Sequence, residues 1–136
     1  MKKLLLLLTS VMLLATSCSS DDENVTYDEV KGYLTDVASV KHGLIGTWED
    51  PDGAAWGYTY EITFNGRTVN AIEKEEGYED DEWSASYSVS SKNDKFYLKL
   101  TIGNISAESE ILILNETTLS YYNEEYDYTE TFTRKQ

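Results

Sequence analysis

The chain has 136 residues, a length that suits one domain, and it carries 25 Asp and Glu against 11 Lys and Arg, for a formal charge of −14. That balance repels nucleic acid and anionic lipid head groups, so neither is expected as a direct partner. Cys18 is the single cysteine, which leaves no intramolecular disulfide, thiolate metal cluster or redox pair to build.

The first stretch reads as an export signal. Lys2-Lys3 supplies a positive start, and Leu4–Leu14 is an apolar run too short for the roughly 20 residues of a membrane-spanning helix. Ala15-Thr16-Ser17 places small residues before Cys18. The arrangement resembles a bacterial lipoprotein signal, with Ala15 where leucine is usual. The resemblance implies cleavage ahead of Cys18 and acylation of its thiol, palmitate included, so that lipid holds the protein at a membrane. The acidic run Ser19-Ser20-Asp21-Asp22-Glu23 resembles the surface-export signal of lipoproteins from Gram-negative anaerobes; read without that resemblance, it is a charged spacer. The expected location is the outer membrane, on its surface side.

The expected organisation is a signal peptide over 1–17, an acidic tether over 18–25, a short amphipathic helix over 26–43 and a β-domain over 44–136. Thr26 and Glu29 have the spacing of a capping box. Val30, Tyr33, Leu34, Val37 and Val40 follow at helical spacing, with Gly32 as a cost inside the helix. His42, the only histidine, stands at the expected helix end, where a cation suits the dipole. That reading of His42 is preferred to a catalytic one.

From Leu44 onward the pattern has a period of two. Gly46 and Trp48 share one face of a first strand, Leu44–Glu49, and Asp50-Pro51-Asp52-Gly53 makes a turn. A second strand, Ala55–Phe64, alternates Trp56, Tyr58, Tyr60, Ile62 and Phe64 with smaller or polar residues. Asn65-Gly66 is a strong hairpin signal, and a third strand covers about Arg67–Lys74. After the acidic loop Glu75–Glu82, strands follow from Trp83, from Phe96, over Ile105–Leu114, over Thr117–Tyr122 and over Tyr126–Arg134. Eight strands with short turns suit an all-β, up-and-down antiparallel barrel. Strand periodicity alone leaves a sandwich of two sheets open.

Four motifs, in order, carry a resemblance: Gly46-x-Trp48, the hairpin Tyr60-Glu61-Ile62-Thr63-Phe64-Asn65-Gly66, Trp83-Ser84-Ala85-Ser86-Tyr87-Ser88-Val89, and Thr131-Phe132-Thr133-Arg134. Over Leu44–Arg134 the chain resembles the small lipocalin-like (calycin-type) lipoproteins of Gram-negative bacteria. The resemblance implies that Gly46 and Trp48 close one barrel end and that Arg134 packs over the Trp48 ring. The stretch is shorter than a typical ligand-carrying lipocalin, which argues against a roomy cavity.

No nucleophile constellation can be assembled, because the sole histidine lies outside the strands and no Gly-x-Ser-x-Gly occurs, so the chain is not expected to be an enzyme. No cofactor is implied. Asp50-x-Asp52 starts like a calcium loop, but Ala54 and Ala55 stand where an EF-hand needs a ligand and then its glycine, and no metal site is assigned. The acidic loop Glu75–Glu82 could hold a hard cation only loosely. If Phe132 points inward, so do Tyr126, Tyr128, Glu130 and Arg134. An inward Glu130 then binds a ligand, pairs with an inward Arg67, or marks a register break. Two functions remain. One is binding of a small amphipathic ligand among Trp56, Tyr58, Tyr60, Tyr87, Tyr128 and Glu130. The other is a protein-interaction or inhibitor module that presents its acidic loop and barrel rim to a basic protein.

Overall fold

The computed structural model describes residues 25–136. The expected signal peptide, Cys18 and all of the acidic tether but Val25 lie outside the described residues. Eight antiparallel strands close into a barrel in sequence order: β1 (Gly46–Glu49), β2 (Tyr58–Phe64), β3 (Thr68–Glu75), β4 (Asp81–Lys92), β5 (Lys95–Ile102), β6 (Ile105–Leu114), β7 (Thr118–Asn123) and β8 (Tyr128–Arg134). The alternation read from the sequence is the alternation across the barrel wall. Trp48, Phe64, Val69, Leu98, Leu114 and Leu119 are fully buried inside, and the serines between them on β4 face solvent. At a register shift between Ile111 and Ile113, both Leu112 and Ile113 turn outward and Leu114 returns to the core.

The helix α1 (Val37–Leu44) starts later than the Thr26–Glu29 signature suggests. Asp36 is the N-cap: its carboxylate accepts the Ser39 N–H at 2.8 Å. Residues before it form turns instead, with Asp28 and Gly32 paired in an isolated bridge. Gly32 takes a φ of +63° against the Leu114 carbonyl oxygen, which a Cβ would meet at 2.2 Å, so its backbone is committed to the barrel and not to a helix. Val40 and Leu44 bury the apolar side of α1 over one barrel end, and His42 lies in its last turn.

The Ser39 N–H and the Ser39 hydroxyl hold the Asp36 carboxyl below its ordinary value of 3.8. A lowered folded-state value means the stabilisation is complete above pH 3.8 and is lost as pH falls below it. Asp36→Ala is accordingly expected to cost about 1 kcal/mol at neutral pH. In urea melts, the gap between variant and wild type should close as the pH is taken below 3.8. A gap that persists in acid would remove the cap as its cause.

Several strand boundaries differ from expectation, and β8 starts at Tyr128, which leaves Tyr126 exposed in the turn before it. Leu44 ends the helix, so β1 begins only at Gly46. The expected start of the second strand, Ala55–Gly57, is a 3₁₀ turn over Gly53–Trp56 that ends at Gly57 in the left-handed region, with φ 84°. The acidic loop is also shorter than expected: β3 runs to Glu75 and β4 starts at Asp81, with Glu73 opposite Asp81.

Candidate functional site

The two barrel ends differ. At the helix end, Trp48 Nε1–H donates to the Leu44 carbonyl at 2.9 Å. Arg134 lies with its Cζ 4.2 Å from the centre of the Trp48 ring. Its guanidinium donates to the carbonyls of Gly43 (2.6 Å), Ile45 (2.8 Å) and Glu116 (3.0 Å), tying the end of α1 to the barrel. Gly46, at φ +129°, leaves the space this requires, since a Cβ there would lie 2.7 Å from Arg134 Nη1.

The opposite end is a mouth. Its four connections are Asp50–Gly57, Glu76–Asp80, Gly103–Asn104 and Glu124–Asp127, and they hold eight carboxylates and no Lys or Arg. Large apolar side chains stand exposed around them: Trp56, Tyr78, Ile105, Tyr126 and, partly, Ile102 and Tyr128. Arg67, Lys92, Lys95, Arg134 and Lys135 cluster toward the helix end instead. Among the described residues no group of three or more His, Asp and Glu is placed to hold a metal ion.

Beside the mouth the barrel wall opens. β1 pairs with β8 only through Trp48–Arg134 and Glu49–Thr133. Continuing that ladder would set Asp50 against Phe132, Pro51 against Thr131 and Asp52 against Glu130. It stops because Pro51 has no N–H to give to Thr131, and because Asp50 rolls the chain into a turn. The Asp50 carboxylate accepts the Asp52 N–H at 2.9 Å, while the Asp50 N–H is held by the Tyr60 carbonyl. The space left is a half-open cleft of about 390 Å³ lined by Asp50, Pro51, Asp52, Tyr60 and residues 129–132.

The cleft joins aromatic surface to negative charge. The Tyr60 and Tyr121 rings flank Phe132, each with its centre 5.9 Å from that of Phe132. Glu130 accepts the Tyr121 hydroxyl at 2.6 Å, and Asp50 accepts the Tyr58 hydroxyl at 2.9 Å. Burial, and then the Glu130 charge, push the Tyr60 hydroxyl up to about 12. Tyr121 is raised by the same two causes and by its bond to Glu130. Both phenols therefore stay protonated and neutral at physiological pH.

Of the residues expected to bind a ligand, Tyr60 and Glu130 line this cleft. Tyr58 lines a neighbouring groove with Lys74 and Glu75 and reaches the cleft only through Asp50. Tyr128 sits on the rim with its ring 6.5 Å from that of Tyr126. Two assignments are corrected. Trp56 is 77% exposed, because the 3₁₀ turn removes it from the strand alternation that would have aimed it inward. Tyr87 belongs to the opposite end: its ring packs edge-on against Phe64 at 5.1 Å and its hydroxyl donates to the Asn65 carbonyl. Nor does Arg67 meet Glu130, since it is exposed in the turn between β2 and β3.

Tyr121 was not singled out by the sequence, and Asp50, Asp52 and Phe132 were noted there only for the turn, a failed calcium loop and the closing strand, not as parts of a binding site. Phe132 was legible from its parity with Glu130. Tyr121 needed the register that sets it opposite Glu130.

Fold and site together define a small closed β-barrel with one plugged end and an acidic, aromatic cleft in its wall. No family model, no curated protein and no solved structure matches the chain.

Proposed function

We propose that the protein is a lipid-anchored, lipocalin-like binding protein of the cell envelope, surface-exposed on the outer membrane, that takes a small amphipathic ligand without transforming it. The observation that carries the reading is the cleft, in which Tyr60 and Phe132 offer apolar surface beside Asp50, Asp52 and Glu130. Such a lining suits an apolar body with a positively charged head. In an NMR titration of the full chain, hexylamine should shift the Tyr60 and Phe132 ring signals, whereas hexanoate should not. Glu130→Gln should weaken the amine several-fold. Equal response to amine and carboxylate, or no response at these rings, would sink the reading. The anchor rests on Cys18: Cys18→Ser should abolish metabolic labelling with palmitate, and labelling that survives the change would overturn it.

The mouth favours a second reading, an interaction or inhibitor module for a basic protein. Exposed Trp56, Tyr78, Ile105 and Tyr126 stand among eight carboxylates, a surface where apolar anchors and charge complementarity occur together.

A further inference from the structure

The cleft is a parted β-ladder, and that gives it a chemistry its side chains alone do not. Neighbouring residues of β8 send their backbone groups to opposite sides. The Arg134 N–H goes to the Thr117 carbonyl, just ahead of β7, and the N–H of Lys135, the next residue past the strand, goes to the Thr47 carbonyl within β1. By that alternation Thr133, Thr131 and Thr129 direct their N–H and C=O toward the β1 side. Thr133 has Glu49 opposite it, but below that pair no strand among the described residues lies beside this edge of β8. The backbone groups of Thr131 and Thr129 therefore open into the cleft. Exposed edges of this kind are templates for another chain.

Resting on the reading of the cleft as the binding site, we propose that its ligand is an extended, cationic peptide segment that pairs with Thr129–Thr131 as an added strand. Thr129 to Phe132 spans about 10 Å at roughly 3.3 Å per residue, so the edge takes a short segment of about three or four residues. Backbone pairing supplies affinity with little regard to sequence, and selection comes from what flanks the edge. Here Asp50 and Asp52 stand across the gap, Glu130 stands on β8 itself, and no Lys or Arg lines the opening. Alternate side chains of a bound strand point to opposite faces. Those directed inward meet Tyr60 and Phe132 beside Glu130, and lysine or arginine there sets an ammonium or guanidinium against the carboxylate over an aromatic wall. The edge is protected from like copies of this chain by the same charges, since its own strands would bring further carboxylates to it.

The test uses the full chain and an acetylated, amidated pentapeptide of alternating lysine and valine. Fluorescence anisotropy should show binding that is at least tenfold weaker for the same peptide N-methylated at alternate amides, which keeps the charge and removes the pairing. Hydrogen exchange at the Thr131 and Thr129 amides should slow at least tenfold with the parent peptide. Thr131→Pro, which deletes the N–H on the open side and leaves the β7 ladder intact, should lose the peptide; if circular dichroism shows that this variant is unfolded, the N-methylated peptide on the unaltered chain decides. Equal binding of the two peptides, or unslowed exchange at Thr131, overturns strand addition. Hexylamine distinguishes the two failures. If it binds while N-methylation has no effect, strand addition alone falls; if neither amine nor peptide binds, the cleft is not the binding site.

Discussion

Trp48→Ala is expected to lower the unfolding free energy by about 3–5 kcal/mol. The indole is fully buried, donates to the Leu44 carbonyl and lies under the Arg134 guanidinium, so truncation opens a cavity and releases two partners at once. The surroundings cannot readily collapse into the space. The barrel wall is fixed by its ladders, and α1 is held in place by the same cluster. Urea melts followed by circular dichroism measure the loss; a shift below 1 kcal/mol, close to the range of surface substitutions, would show that Trp48 is not an anchor.

Arg134→Lys is the second large effect, expected at about 2–3 kcal/mol despite the conserved charge. The guanidinium fork serves three carbonyls, those of Gly43, Ile45 and Glu116, and stacks on Trp48 with its flat face. An ammonium cannot span all three or stack in that way, so carbonyls at the end of α1 lose their donors. Partial exposure of the group keeps the figure well under the sum of its individual bonds. Gly46→Ala should be harmful for a related reason, because its Cβ would collide with Nη1, and Arg134→Lys should relieve part of that harm. Additive losses in the double variant would mean that the two residues do not share one space.

The strand pattern was legible because each strand holds a buried face against a wet one. Trp83, Ala85, Tyr87 and Val89 alternate with four serines, and no other local structure satisfies that order. The closed barrel was the expected architecture and the structure has it; periodicity alone left a sandwich open, since closure depends on which strands pair and β1 adds only two residue pairs to β8. The helix start was misplaced because Thr26–Glu29 and Asp36–Ser39 both offer a cap. Burial decided between them, for Val40 and Leu44 reach the barrel end only from the later helix. The cleft escaped a reading of the residues for a similar reason. Pro51 reads locally as a turn residue, and its effect on β8 is seen only once Thr131 is found to be its missing partner. Glu130 did announce itself, as a charge on an apolar face.

The unequal distribution of charge between the barrel ends also sets a posture. Thr26 enters the described fold beside Ser39, at the helix end, the same end that gathers Arg67, Lys92, Lys95 and Lys135. For a chain held at Cys18, the eight residues to Val25 reach at most about 29 Å fully extended, so the barrel stays close to the bilayer. The helix end mixes both signs, whereas the mouth holds eight carboxylates and no Lys or Arg, so anionic head groups repel the mouth more strongly and turn it away from the bilayer. A molecule anchored in that way would stand on its plugged end like a cup on a table, its rim facing the medium and its wall opening turned sideways.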